Sequence, residues 1–170
     1  VAVKTAALLL HRSSPMNDLF TNVASSLMLA APGFRLYALC AIVLILKMNA
    51  VGIYTASTRA RLKVALNPED AARFGAQLAT TEHPDVERVL RAHRNDLENI
   101  PGFLVLGLIA VLAGAPVLGM QICFIAFTAA RVGHSIAYIK SMQPWRSISF
   151  GIGQLSTLAL MVMILIRLVA

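Results

Sequence analysis

Residues 85–114 read DVERVLRAHRNDLENIPGFLVLGLIAVLAG. The first half is dense in Arg, Asp and Glu, and the second half has no charge at all. A helix of this length extends about 45 Å at 1.5 Å per residue, more than the roughly 30 Å hydrocarbon thickness of a bilayer. The stretch therefore reads as one helix that crosses a membrane with its apolar half. Its ionisable half rises through one interface. Pro101 sits between the halves, where a missing N–H donor is expected to kink the helix.

Three more apolar runs flank it, at about 34–58, 117–139 and 146–168, each long enough to span. The second span then takes about 85–114. Hydrophobic residues make up 58% of the chain and charged residues only 14%, against about 25% charged in soluble domains. The expected fold class is all-α, an integral membrane four-helix bundle occupying residues 34–170. Residues 1–33 read as a loosely ordered leader, with a short interfacial helix over about 19–31 and Met16 as a candidate natural start. His83-Pro84 ends the connection that begins at Val64, and this connection reads as a loop containing Asn67-Pro68-Glu69-Asp70. Cys40 and Cys123 lie in apolar runs without metal-ligand spacing, so they read as small buried hydrophobes.

The net charge is +7, and most of the Lys and Arg cluster in the connection between spans 1 and 2 and at the start of span 2. Lys140 and Arg146 add to the connection between spans 3 and 4. The turn Gly114-Ala115-Pro116 carries none. Loops 1–2 and 3–4 are therefore expected on the cytoplasmic side, with both termini opposite. Basic residues that flank spans serve orientation, so no nucleic-acid partner is expected.

Ionisable residues at membrane depth mark function by default. At about 100° per residue, Arg91, Arg94, Asn95 and Glu98 fall on one face of span 2, and His93 and Asp96 on another. Arg131, His134 and Tyr138 share one face of span 3. Comparable depth pairs Lys47 with Asp96 and Arg131 with Glu98, as structural neutralisation of buried charge. What remains is an excess of donors in one layer: Arg59, Arg91, Arg94 and Arg146, with Asn95, His134, Tyr138 and Ser147. The guanidinium fork suits a small ligand with several carboxylates, and Glu98 suits a ligand amine. The competing reading of these arginines is contact with lipid headgroups. No Ser/His/Asp order, Gly-rich phosphate loop or HExxH motif is present. The nucleophile is expected to arrive with the ligand, and no metal site is expected.

Four segments carry a family resemblance: NPED (67–70), VERVLRAHRNDLENI (86–100), RVGHSIAY (131–138) and QPWRSISF (143–150). They resemble the MAPEG family, the membrane-associated proteins in eicosanoid and glutathione metabolism. The resemblance implies a homotrimer with glutathione, as substrate or cofactor, bound between neighbouring subunits. It implies glutathione contacts at Arg59, Arg94, Asn95, Glu98, His134, Tyr138, Arg146 and Ser147, to which the residue reading adds Arg91. Arg146 falls where the family's arginine stabilises the glutathione thiolate. Asp70 and Ser147 fall at positions invoked as catalytic in the prostaglandin synthase branch. Phe150 stands at a glutathione-site position where that branch has a tyrosine, and Asn49 replaces an aromatic of its span 1. QPWRSISF looks more like the transferase branch, whereas VERVLRAHRND and RVGHSIAY lean towards the synthase.

The implied function is a glutathione transferase or peroxidase acting on hydrophobic electrophiles or lipid peroxides. The runner-up is a glutathione-dependent isomerase that converts an endoperoxide to a hydroxyketone. A lipid-presenting protein without activity is the reading from another class, and the arginine layer speaks against it. The resemblance places such a protein in the endoplasmic reticulum or outer mitochondrial membrane of a eukaryote, or the inner membrane of a bacterium.

Overall fold

A computed structural model describes residues 29–170 continuously, together with residues 16, 19, 22, 23 and 26. Of the leader expected over residues 1–33, residues 1–15 lie outside the described residues. The described positions from 16 to 30 are helical.

Four long helices follow: α1 (Phe34–Leu62), α3 (Pro84–Leu112), α4 (Val117–Ile139) and α5 (Trp145–Val169). All four are long and apolar enough to cross a membrane. Each covers one of the apolar runs; α1 continues a turn further, through Arg59 and Arg61, into the basic segment. The α3 helix continues through Pro101 to Leu112, and Pro101 faces outward. The segment expected as a plain loop is more structured. A short helix, α2 (Pro68–Phe74), stands between two-residue strands β1 (Val64–Ala65) and β2 (Gln77–Leu78). The strands pair in parallel, Val64 with Gln77 and Ala65 with Leu78.

Local chemistry sets the helix ends. Pro84 occupies the first turn of α3, where a missing N–H costs nothing. The His83 ring Nδ1 accepts from the Asp85 amide at 3.2 Å, and Asp85 and Glu87 complement the helix dipole. Gly75, at φ 58°, closes α2 in a left-handed conformation that glycine adopts without a Cβ clash.

Each chain turn reverses direction, so the helices run up and down. At one end Arg59 of α1 pairs with Glu82, just before α3. At the other, Arg167 of α5 donates to the Ala113 carbonyl after α3, at 3.3 Å. The apolar core lies toward this second end. Phe103 stacks on Phe127 with centroids 3.6 Å apart and meets Phe124 edge-on at 6.2 Å. Leu44, Ile100, Met120 and Leu160 close around them. Tyr37 crosses Gly107, where an added Cβ would lie 3.0 Å from its ring, and its hydroxyl donates to the Leu104 carbonyl at 3.0 Å. The outer faces are also apolar, with Leu118 and Leu168 each 70% exposed. A surface of that kind suits lipid as solvent, and the protein is an integral, multi-pass membrane protein.

Candidate functional site

The buried stripe of α3 runs Val86, Val89, Ala92, Asp96, Ile100, Phe103, the i, i+3, i+4 spacing of a packed helix face. One position on that stripe is a carboxylate. Asp96 is fully buried, so it must be paired. The Lys47 ammonium of α1 pairs with it. The Arg131 guanidinium of α4 donates to its Oδ1 from Nη2 at 2.8 Å, and the Ser135 hydroxyl donates to Oδ2 at 3.3 Å. By helical rise, Lys47, Asp96 and Arg131 all lie about 20–24 Å from the Gly114 end of the bundle, inside the hydrocarbon depth. The expected Lys47–Asp96 pair is present. The expected Arg131–Glu98 pair is not: Arg131 turns to Asp96 and, at 2.6 Å, to the Asn95 Oδ1, while Glu98 points outward. Glu98 and Asp96 share a depth but not a helix face, and the face decides.

Above this network, His134 is buried. Its Nδ1 lies 3.0 Å from the Arg146 carbonyl oxygen. A carbonyl only accepts, so Nδ1 carries the proton and Nε2 is left as an acceptor. That Nε2 is buried and has no partner among the described residues. Tyr138, one turn further along α4, meets the His134 ring edge-on at 5.6 Å, and Phe150 approaches it at 6.0 Å.

The bond from His134 to its carbonyl ties Arg146, in the first turn of α5, to α4. The Arg146 guanidinium lies over the Tyr138 ring at 4.8 Å. With the Gln143 amide oxygen facing it, the same guanidinium donates to Gln143 at 2.6 and 3.2 Å, and the amide nitrogen then meets Ser147 Oγ at 3.2 Å. Among the described residues no carboxylate pairs with Arg146. Arg88, Arg91, Tyr138, Gln143 and Arg146 together line a cleft of about 250 Å³. Arg91 also pairs with Glu87 at 2.8 Å, and Arg88 with Asp85 at 3.6 Å.

A second cleft, about 670 Å³, lies between the end of α1 and the α2 segment. It holds Ile53, Arg59, Lys63, Asp70 and Phe74. Asp70 is exposed and accepts from the Asn67 side chain at 3.4 Å. The candidate residues thus fall into two groups within one chain. Arg91, Tyr138 and Arg146 share the first cleft, with His134, Ser147 and Phe150 adjoining; Arg59 and Asp70 share the second. Arg94 and Glu98 stand on the outer face of α3, both exposed, without an ion pair among the described residues. Asn95 is half-buried between that face and Arg131.

Four residues of these networks are absent from the expected set: Arg88, Gln143, Ser135 and Glu82. Two of them carry a signal in their spacing. Arg88 lies one turn before Arg91, which places the two side by side, and Ser135 lies one turn after Arg131, which places it at the Asp96 level.

Residues 37–166 match the model of the MAPEG family. The chain is 38% identical over 143 residues to a human (Homo sapiens) protein named prostaglandin E synthase, covering 84% of this chain and 94% of that protein. It is 43% identical over 108 residues to the Rattus norvegicus prostaglandin E synthase, 64% of this chain and 71% of that one. It is 40% identical over 132 residues to the Bos taurus microsomal glutathione S-transferase 1, 75% of this chain and 85% of that protein. With a multi-pass helical bundle, a buried charged network and a family match over most of its length, the chain belongs to the MAPEG family.

Proposed function

We propose that this protein is a glutathione-dependent membrane enzyme, a transferase or peroxidase that presents glutathione as its thiolate to hydrophobic electrophiles. The observation that carries the reading is the setting of Arg146. Its guanidinium is held by neutral groups, the Tyr138 face and the Gln143 amide. It also stands in the first turn of α5, where the helix dipole already favours negative charge. A cation there is unfavourable for folding unless an anion completes it.

A thiol is a weak nucleophile until it ionises, and a nearby guanidinium favours the thiolate. Arg146 holds that charge as the thiol proton leaves to solvent; the sulfur then attacks the electrophile and its leaving group departs, chloride from a chlorinated nitrobenzene, or from a hydroperoxide an alkoxide that takes a proton from solvent as the O–O bond breaks. The remaining donors orient the tripeptide: Arg91, Arg94, Asn95, Tyr138 and Ser147 toward its carboxylates, Glu98 toward its amine, and the His134 Nε2 toward an N–H. The electrophile enters from the lipid side, past the apolar rim that Phe150 contributes.

The two clefts motivate an assembly. Arg59 and Asp70 lie apart from Arg146 in one chain, and Arg94 and Glu98 face outward at membrane depth, where a charged side chain exposed to lipid costs about 2.5–3.5 kcal/mol. A homotrimer in which the α1–α2 cleft of one subunit faces the α3–α5 cleft of the next would join the groups and shelter the charges. Basic loops 1–2 and 3–4 face the cytoplasm in this reading, in the endoplasmic reticulum or outer mitochondrial membrane of a eukaryote or the inner membrane of a bacterium. Native mass measurement in detergent that finds only monomer rejects the trimer.

Similarity to the human prostaglandin E synthase over 94% of its length favours a second reading, a glutathione-dependent endoperoxide isomerase. One panel separates the two. Purified protein with glutathione is assayed on a chlorinated nitrobenzene, a lipid hydroperoxide and a prostaglandin endoperoxide. Conjugation or peroxide reduction supports the first reading, isomer formation alone the second, and no turnover of any of them rejects both.

A further inference from the structure

The buried network contains more cation than anion. Lys47 and Arg131 share one carboxylate, Asp96, so neutralisation by itself accounts for one of them. Arg131 is 1% exposed, and placing a second cation there is costly. What it touches shows its use. Its Nη2 splits its two protons between Asp96 Oδ1 at 2.8 Å and Asn95 Oδ1 at 2.6 Å. A guanidinium has no acceptor, so Asn95 must present its oxygen to it. That leaves the Asn95 NH2 group as the free end of the amide, and it meets no acceptor among the described residues.

The backbone of Asn95 is held as well. Its carbonyl accepts from Asn99 Nδ2 at 2.7 Å, and Asn99 Oδ1 accepts from Gln154 of α5 at 2.6 Å. Asn95 is thereby fixed from both sides by α4 and α5. The unused polar group of its side chain is a donor, on a half-buried residue that neighbours Arg94 and Glu98 along α3.

We propose that Arg131 is a positioning residue: anchored on Asp96, with Lys47 and Ser135 behind it, it locks the Asn95 amide as a donor for one carboxylate of the bound tripeptide. The inference rests on the glutathione reading above and deepens it. An unlocked asparagine rotates between donor and acceptor and recognises a carboxylate poorly. A locked one presents only N–H to the ligand, and its desolvated partner makes that bond selective.

The test uses the full-length protein in detergent, with glutathione and its two carboxylate mono-esters as probes. Arg131→Met leaves Lys47 and Asp96 as a neutral pair, so the bundle is expected to fold. The KM for glutathione should rise about tenfold or more, with kcat at saturation changed less than about threefold. A merely structural residue would not move the next readout. In wild type, esterifying one of the two carboxylates should weaken glutathione about tenfold, and in Arg131→Met that penalty should shrink to about twofold, as coupled groups require. Asn95→Asp, which still accepts from Arg131 but offers no donor, should reproduce the loss. If Arg131→Met does not fold, Arg131→Lys keeps the charge on Asp96 with a stem too short to serve both partners, and the same collapse of the ester penalty is expected. An unchanged ester penalty in a folded Arg131 variant overturns the proposal, as does a wild type indifferent to both esters. Failure of the underlying reading is visible separately, since wild type itself would then show no turnover that depends on glutathione.

Discussion

The two ends of this bundle solve the same packing problem with opposite chemistry. Toward the Gly114 turn, the helices close on Phe103, Phe124, Phe127 and Leu160, with Tyr37 laid over Gly107. The Tyr37 hydroxyl finds its acceptor in the Leu104 carbonyl. Toward the basic loops, the same helices close on Lys47, Asp96, Arg131, His134 and Ser135. Apolar packing tolerates small changes because dispersion is spread over many contacts. A carboxylate shared between two cations does not, because removing the carboxylate strands both cations. The polar end is therefore the less economical way to join four helices, and its presence points to use rather than to stability.

The contrast meets its most severe test in Asp96→Asn. That change leaves Lys47 and Arg131 facing each other in the bundle interior, at a cost of about 3–5 kcal/mol. Thermal unfolding in detergent should fall sharply, and the protein should accumulate poorly. Replacing all three charges together, Lys47→Met, Asp96→Leu and Arg131→Met, should restore much of that stability without restoring glutathione affinity. A triple variant that stays unstable would mean that the network is structural after all.

The matching cut at the apolar end is Phe124→Ala. Burial and cavity together make it worth about 3–5 kcal/mol at most. Here the loss should appear in unfolding temperature alone, with the KM for glutathione unchanged. A large KM change would show that the two ends are not separable.

At Arg146 the expectation reverses. Arg146→Ala removes a partly exposed cation from the first turn of α5, so stability should change by less than about 0.5 kcal/mol. Turnover should fall about hundredfold to thousandfold, the scale seen when a group that stabilises developing negative charge is deleted. The thiolate absorbance of bound glutathione should appear only at higher pH, because the charge that favours ionisation is gone. Arg146→Lys should keep part of the effect, since charge survives and the fork is lost. Unchanged absorbance and turnover would make Arg146 a headgroup contact.

The smallest effect is expected at the outer face of α3. Glu98→Gln should raise the dissociation constant of glutathione several-fold, through a lost charge-assisted bond, with unfolding unaffected. Calorimetric titration that finds identical binding would move the ligand off this face.

Much of this architecture is legible in the order of residues. The four spans follow from run length, and their ends from Pro84, Pro116, Pro144 and the basic segment after Thr58. The Lys47–Asp96 pair follows from depth along antiparallel helices. Depth alone gives Arg131 the wrong carboxylate, because it says nothing about rotation about the helix axis. The corrective signal lies in the pattern itself: Asp96 continues the stripe through Val89, Ala92 and Ile100, and Glu98 does not. The paired β1 and β2 strands leave no such signal, being two residues each and held by bonds such as that from the Gln77 amide to the Lys63 carbonyl at 2.8 Å.

Run length and composition are enough to settle the solvent. Runs of about 20 apolar residues satisfy their own backbone groups only as helices in lipid, and that conclusion stands without the four family-like motifs. Residue type likewise settles the inventory of donors, since it fixes what a side chain can give or accept. How the inventory is divided was left to packing. Helix rotation and side-chain reach turned Arg131 inward to Asp96 and Asn95, left Arg94 and Glu98 outside, and set Arg146 on Tyr138 rather than on a carboxylate. Those choices depend on distances of a few ångströms between residues on different helices, up to 36 positions apart, which no local spacing encodes, because a buried charge is satisfied only by whichever partner the packed helices bring within reach.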